Sequence, residues 1–129
     1  MPPIDQLQRV SERHLEALER QGVFTTGLLL EVSETPTRRQ YLADQISATP
    51  NDVNEWRDEA LLLNLANFGS TEQALFTQAG IVGLADLLAL DPPAFRERLA
   101  RASQVLGMEP VDDLIVEGWR EQAYTLREE

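Results

Sequence analysis

The side chains of this chain that could do chemistry are mostly carboxylates. Adjacent carboxylates occur at Asp58 and Glu59 and again at Asp112 and Asp113, and such a pair can serve as general acid and base. With 22 acidic residues in 129, however, paired carboxylates are also what a solvated surface carries. The single histidine, His14, falls one turn into a predicted helix and beside its apolar face. We therefore expect no catalytic residues.

Cofactor and metal sites are not expected either. The chain has no cysteine and only one histidine, which excludes thiolate and histidine-rich metal sites. It also has no Gly-rich phosphate loop and no nucleophile elbow. The sequence predicts a protein that is not an enzyme and binds no cofactor.

The charge of the chain bears on its partners. Its 22 acidic residues face 11 basic ones, all of them arginine, so the formal net charge is -11. Such a field repels phosphate backbones, because affinity for nucleic acid comes largely from neutralising them. Eight of the 11 arginines fall into three groups, each with acidic neighbours: Arg9, Arg13 and Arg20; Arg38 and Arg39; Arg96, Arg98 and Arg101. Nucleic-acid binding is disfavoured by this balance, although a local basic patch is left open.

The chain shows no sign of a membrane or of secretion. No apolar run approaches the roughly 20 residues that a membrane-spanning helix needs. The first ten residues lack the basic and apolar regions of a signal peptide. We expect a cytoplasmic protein without a membrane partner.

The elements that must position these side chains are clearest in residues 65–90. There the sequence predicts a tight turn at Asn67-Phe68-Gly69, a helix closed by Gly80, and a further helix entered through Ile81. Glycine at position 80 suits the left-handed conformation that often ends a helix. Ser70 and Gln73 are spaced as a capping box.

A weaker copy of this pattern lies upstream, at residues 7–30. Ser11 is placed to cap a helix over residues 12–21, and Gly22 is placed to end it. Prolines then predict helix starts, because proline is tolerated in the first turn. The predicted helices begin at Pro36, Pro50, Pro92 and Pro110. Their predicted core-facing residues include Tyr41, Leu42, Ile46, Val53, Trp56, Ala60, Leu63, Phe95, Leu99, Val116, Trp119, Ala123 and Leu126.

The two copies form an internal repeat. Leu7, Val10, Ser11, Gly22 and Val23 recur as Leu65, Phe68, Gly69, Gly80 and Ile81, each 58 positions later. The stripe Val53, Trp56, Ala60 and Leu63 recurs as Val116, Trp119, Ala123 and Leu126, 63 positions later. The second copy therefore carries an insertion around residues 105–112. The sequence predicts an all-α fold, a tandem helix-hairpin-helix repeat with pseudo-two-fold symmetry and about 8–10 short helices. Residues 1–129 are expected to form a single compact domain of two repeats, about 5–64 and 65–127.

These residues resemble a known family. The segments Trp56-Arg57-Asp58-Glu59-Ala60, Gln78-Ala79-Gly80-Ile81 and Trp119-Arg120-Glu121-Gln122-Ala123 are similar to those of an uncharacterised bacterial tandem helix-hairpin-helix family. That family is a domain-of-unknown-function family, so the resemblance implies a fold but does not indicate an activity.

Helix-hairpin-helix motifs in general present backbone N–H groups to phosphates. The candidate hairpin contacts here are Arg9, Val10, Ser11, Arg13, Asn67, Phe68, Gly69 and Ser70. In the first hairpin both glycines of the Gly-hydrophobic-Gly pattern are replaced, and in the second only Gly69 remains. Side chains at these positions restrict a close approach of the backbone to a ligand.

Two functions remain open. The acidic charge, the lost glycines and the absence of catalytic motifs favour a non-catalytic protein-interaction module, of adaptor or regulatory type. Its expected binding surface is either the acidic last helix and tail or an exposed apolar hairpin that includes Val23, Phe24 and Leu28. The alternative is a nucleic-acid-binding protein that contacts phosphates through its hairpins.

Overall fold

The computed structural model describes residues 2–127 of the chain. Within that range the fold is all-helical, with eight α-helices, one short 3-10 helix and no strand. After the 3-10 helix Ile4–Gln6 come α1 Glu12–Arg20, α2 Thr26–Val32, α3 Pro36–Ile46, α4 Pro50–Leu63, α5 Ser70–Gln78, α6 Leu84–Leu88, α7 Pro92–Leu106 and α8 Asp113–Leu126. The chain divides into two compact units, unit 1 (Met1–Asn64) and unit 2 (Leu65–Glu129).

Side-chain caps set the helix starts of unit 1. The hydroxyl of Ser11 accepts the N–H of His14 at 3.3 Å. Thr25, Thr35 and Thr49 cap α2, α3 and α4 in the same way. Each cap satisfies a backbone donor that has no partner inside its helix, which fixes where the helix begins.

The core of unit 1 is built on α4, which packs against α2 and α3. The predicted stripe of α4 is confirmed, because Val53, Trp56, Ala60 and Leu63 are all buried. Their spacings of three, four and three place them on one side of the helix.

An aromatic cluster forms the core of unit 2. The ring of Phe76 makes edge-to-face contacts with three others, at centroid distances of 4.8 Å to Phe68, 5.8 Å to Phe95 and 5.1 Å to Trp119. The cluster joins α5, α7 and α8 with the segment that precedes α5. Edge-to-face aromatic pairs each contribute about 0.5–1.5 kcal/mol beyond their buried area.

Two predicted core positions are wrong. Tyr41 is 65% exposed, because α3 buries Leu42, Ala43 and Ile46 and position 41 lies about 100° around the helix from position 42. Leu126 is 39% exposed, since it is the last residue of α8.

Two predicted helix starts are also wrong. The last helix begins at Asp113 rather than at Pro110, because the Asp112 carboxylate caps it by accepting the N–H of Leu114 at 2.7 Å. At α5 the cap is Gly69 rather than Ser70, and the carboxylate of Glu72 accepts the Gly69 N–H at 2.8 Å. A carboxylate three residues into the helix thus replaces the predicted Gln73.

Candidate functional site

The turn before α1, residues 9–11, is the first candidate contact segment. Its backbone is held by Glu59 of α4, whose carboxylate accepts the N–H of Gln8 through one oxygen and the N–H of Arg9 through the other, at 3.1 Å for Arg9. Glu59 is only 1% exposed. A carboxylate of the chain itself therefore makes the kind of backbone contact that a bound anion would make.

Burial perturbs this carboxylate. Loss of solvent around Glu59 raises its pKa above the ordinary glutamate range, and the N–H donors of Gln8 and Arg9 oppose that rise because they favour the charged form. The positive charge of Arg9 opposes it as well. Because desolvation is the largest of these effects, the pKa of Glu59 is higher in the folded protein than in the unfolded chain.

The Arg9 side chain also turns towards its own unit. Its guanidinium lies 2.9 Å from the Asp58 carboxylate and donates to the Glu55 carbonyl at 3.3 Å. Of the other candidates in unit 1, Val10 is half-buried and Arg13 is exposed. Ser11 is also exposed, and its side chain caps α1.

The turn before α5, residues 67–69, is the second candidate segment. Asn67 adopts a φ of 58°, in the left-handed region that the corresponding glycine would favour. The ring of Phe68 packs against Phe76 and lies 6.0 Å from the Trp119 ring. Gly69 and Ser70 are exposed, and the Gly69 N–H is taken by Glu72.

This second turn is also bonded to the last helix of its unit. The Ala66 N–H donates to the side-chain oxygen of Gln122 at 2.9 Å. The indole N–H of Trp119 donates to the Ala66 carbonyl at 2.8 Å. The neutral Gln122 thus meets the backbone before the second turn, whereas the acidic Glu59 meets the backbone at the first.

The candidates of each unit lie together, residues 9–13 in unit 1 and residues 67–70 in unit 2. The interpretation of Glu59 as a solvated surface carboxylate is wrong, because its side chain is buried. Its role in holding the first turn, and that of Gln122 in holding the second, were not predicted. A signal was present for Glu59, because it follows Trp56 by three positions and precedes the core residue Ala60. A carboxylate on the buried side of a helix needs internal donors.

A second feature of unit 1 is an exposed apolar surface on α2 and α3. We call the exposed side chains of Leu28, Val32 and Tyr41 the α2–α3 surface. Leu28 and Val32 lie one turn apart on α2, and Val32 and Tyr41 line the same cavity of about 470 Å³. A neighbouring cavity of about 500 Å³ lies along α3, with Tyr41 in its wall as well.

Both apolar and charged side chains surround this surface. Phe24, immediately before the α2 cap, is exposed while its neighbour Val23 is buried. Arg38 lines the first cavity and lies 3.9 Å from the Glu34 carboxylate, and Asp44 lines the second. Apolar side chains therefore stand at the centre, with charges at the edges.

A comparison with models of protein families assigns the chain to one of them. The model of DUF4332, a domain of unknown function, matches residues 8–126. The chain belongs to this family. No curated protein and no solved structure matches the chain. The predicted membership of a domain-of-unknown-function family is confirmed.

The DUF4332 match runs through both turns and all eight α-helices. Within residues 2–127, no group of three or more histidine, aspartate or glutamate side chains is arranged to hold a metal ion. No helix in the described part of the chain is long and apolar enough to cross a membrane.

Proposed function

We propose that this chain is a non-catalytic protein-interaction module built on a tandem helix-hairpin-helix scaffold with pseudo-two-fold symmetry. The two turns are the hairpins of the two repeats. In this proposal the hairpins serve the scaffold, and the exposed apolar side chains bind another protein.

Matched local geometry supports the repeat. Gly22 and Gly80 end the first helix of each unit with φ angles of 82° and 79°. The following residues, Val23 and Ile81, each donate an N–H at 2.9 Å to the carbonyl five positions earlier. Both residues are buried. The same helix ending thus recurs at the 58-residue offset of the sequence pattern.

Matched long-range contacts support it further. Arg57 of α4 donates to the Leu30 carbonyl at 2.9 Å, and Arg120 of α8 donates to the Leu90 carbonyl at 2.6 Å. Each arginine directly follows the buried tryptophan of its unit. In both units, therefore, an arginine side chain donates a hydrogen bond to a backbone carbonyl near the end of the second α-helix.

The first hairpin gives little support to phosphate binding. Glu59 already accepts from the N–H groups of Gln8 and Arg9, and a phosphate would have to displace this carboxylate. The net charge of -11 opposes the approach of a polyanion. These observations favour the protein-interaction function over the nucleic-acid alternative.

The observation that carries the proposal is the α2–α3 surface. Leu28 and Val32 lie about 6 Å apart along one helix face, and Val32 and Tyr41 line the same cavity. This spacing suits one face of a partner helix, with an apolar side chain inserted beside Tyr41. Exposed clusters of apolar side chains rimmed by charge are typical of protein-binding sites.

Affinity capture from extracts of the cells that express the protein tests this function. The immobilised wild type is compared with Leu28→Ser/Tyr41→Ser and with the control Val105→Ser, which removes one exposed apolar side chain from unit 2. The extract is treated with nuclease. We expect one protein partner on the wild type and on Val105→Ser, and about 100-fold less or lower still on the double variant, because burying each of its two side chains contributes about 1.5–3 kcal/mol and about 1.4 kcal/mol corresponds to tenfold.

The result that overturns the proposal is equal recovery by all three proteins, or recovery that nuclease abolishes. A gel shift with duplex DNA at low salt tests the alternative directly. A shift that requires Arg13 and weakens steeply with salt would establish phosphate binding in its place.

A further inference from the structure

The outer face of α8 is a second surface, and its composition differs from that of the α2–α3 surface. Leu114, Glu117, Glu121 and Tyr124 are all exposed. Their spacings of three, four and three place them along one side of the helix, opposite the buried residues of α8. We call these four residues the α8 strip; it runs about 15 Å from end to end.

The two ends of the strip are apolar or aromatic and its middle is acidic. Leu114 is 79% exposed and Tyr124 is 56% exposed. A cavity of about 350 Å³ lies beside Glu117, Glu121 and Tyr124, with Pro92 of α7 on its other side. A partner of the strip therefore has to complement both the shape of the cavity and the negative charge of the glutamates.

The charge around the strip is strongly one-sided. Residues 109–127 carry five carboxylates and two guanidinium groups, a net charge of -3. The guanidinium of Arg120 lines the cavity but donates to the Leu90 carbonyl at 2.6 Å, and that of Arg127 lies over the Tyr124 ring. The carboxylates of Glu117 and Glu121 are left to set the potential along the strip.

The aromatic end already binds a cation of this chain. The guanidinium carbon of Arg127 lies 4.1 Å from the centre of the Tyr124 ring. At this distance the ring attracts a guanidinium through its quadrupole. The ring environment therefore suits an arginine side chain, and the cavity leaves room for another beside the two glutamates.

We propose that the α8 strip binds a basic amphipathic helix of a partner protein, with an arginine beside Tyr124, cations along Glu117 and Glu121, and an apolar side chain on Leu114. The proposal rests on the protein-interaction function, and it concerns residues that the α2–α3 variants leave intact. The acidic strip repels nucleic acid, anionic membranes and a second copy of this chain, which leaves a basic protein segment as its occupant.

The test uses a synthetic fluorescent helix of about 18 residues, five turns, made of arginine, alanine and leucine with all its leucines on one face. Binding to the full chain is followed by fluorescence anisotropy at low salt and at about 0.15 M salt, where exposed charges are screened beyond about 8 Å. A second peptide of equal composition has its leucines spread around the helix. We expect the amphipathic peptide to bind more tightly and to remain bound at the higher salt.

Matched variants separate the strip from the general acidity of the chain. Glu117→Gln/Glu121→Gln removes two carboxylates from the strip, and Glu12→Gln/Glu16→Gln removes two exposed ones from α1. Both variants change the net charge equally. We expect the strip variant to weaken binding about fivefold, as two exposed ion pairs allow, and the α1 variant to weaken it less than about twofold.

Tyr124 provides an independent check. Tyr124→Ser removes the ring and should weaken binding about threefold, whereas Tyr124→Phe keeps the ring and should bind as the wild type does. Thermal melts confirm that each variant is folded.

Equal weakening by the strip and α1 variants, or equal binding of the two peptides, would show non-specific attraction and overturn the proposal. So would a wild type that does not bind the amphipathic peptide. In that case capture through the α2–α3 surface still decides whether the chain is an interaction module.

Discussion

Replacement of Glu59 by glutamine perturbs the contact that holds the first turn. The wild-type carboxylate offers one oxygen to each of the Gln8 and Arg9 N–H groups. Glutamine offers one oxygen only, and its NH₂ group would face the other N–H. One buried donor is then left unmatched, at a cost of about 1–3 kcal/mol. Relief from burying a charge offsets part of that cost, so we expect a net loss of about 1–2 kcal/mol at neutral pH.

The pH dependence of this loss has a definite sign. Because burial raises the pKa of Glu59 in the fold, the folded state holds its proton more tightly than the unfolded chain does. Glu59 therefore stabilises the fold most at low pH, and that contribution falls as the pH rises through its folded pKa. Glutamine does not titrate, so the variant lacks this pH-dependent contribution. The stability gap between wild type and variant should widen as the pH falls from neutral towards the unfolded glutamate value of about 4.3.

Urea unfolding followed by tryptophan fluorescence measures this gap. Trp56 and Trp119 are the two tryptophans, one in each unit, so a Trp119→Phe background leaves Trp56 to report on unit 1. Glu55→Gln is the control, since Glu55 is an exposed glutamate on the same helix, and it should change stability by less than about 0.5 kcal/mol. A Glu59 variant as stable as the control, or a gap that narrows on acidification, would refute the reasoning.

Three further predictions concern single residues. Gly118→Ala should stabilise the protein by about 0.5–1 kcal/mol in thermal melts, because Gly118 lies inside α8 and an added Cβ meets no atom within 4 Å; a lower melting temperature would contradict this. Gly22→Ala should destabilise by about 1 kcal/mol in urea unfolding, although its Cβ also meets nothing, because φ is 82°; an unchanged midpoint would count against it. Asp52→Asn should cost about 0.5–1 kcal/mol at neutral pH. Hydrogen bonding from Thr49 lowers the pKa of Asp52, so this cost should shrink as the pH falls from about 5 towards 2, and a cost independent of pH would exclude the carboxylate as its source.

Most starts and ends of the helices could be predicted because they depend on residues that are close in sequence. The caps Thr35 and Thr49 bond to N–H groups three positions later, within reach of sequence reasoning. The helix endings at Gly22 and Gly80 likewise need only the local backbone. The start predicted at Pro110 is wrong, because the Asp112 carboxylate caps the helix by accepting the N–H of Leu114.

The candidate site was harder to predict, because its decisive contacts are distant in sequence. The carboxylate of Glu59 reaches back 51 positions to the N–H of Gln8, and no local pattern specifies such a partner. The exposure of Tyr41 depends on which sides of α3 the neighbouring helices cover. Sequence periodicity identified an apolar residue on α3 but not the side of the helix that stays in solvent.

The link between Glu59 and the first turn also has a consequence for hydrogen exchange. The amide protons of Gln8 and Arg9 are held by a side chain of α4 and not by a helix of their own. They can exchange with solvent only when Glu59 withdraws, so their protection should report the opening of α4 against the start of the chain. An N-terminal segment with little regular structure thereby becomes part of the same cooperative unit as the longest helix of unit 1.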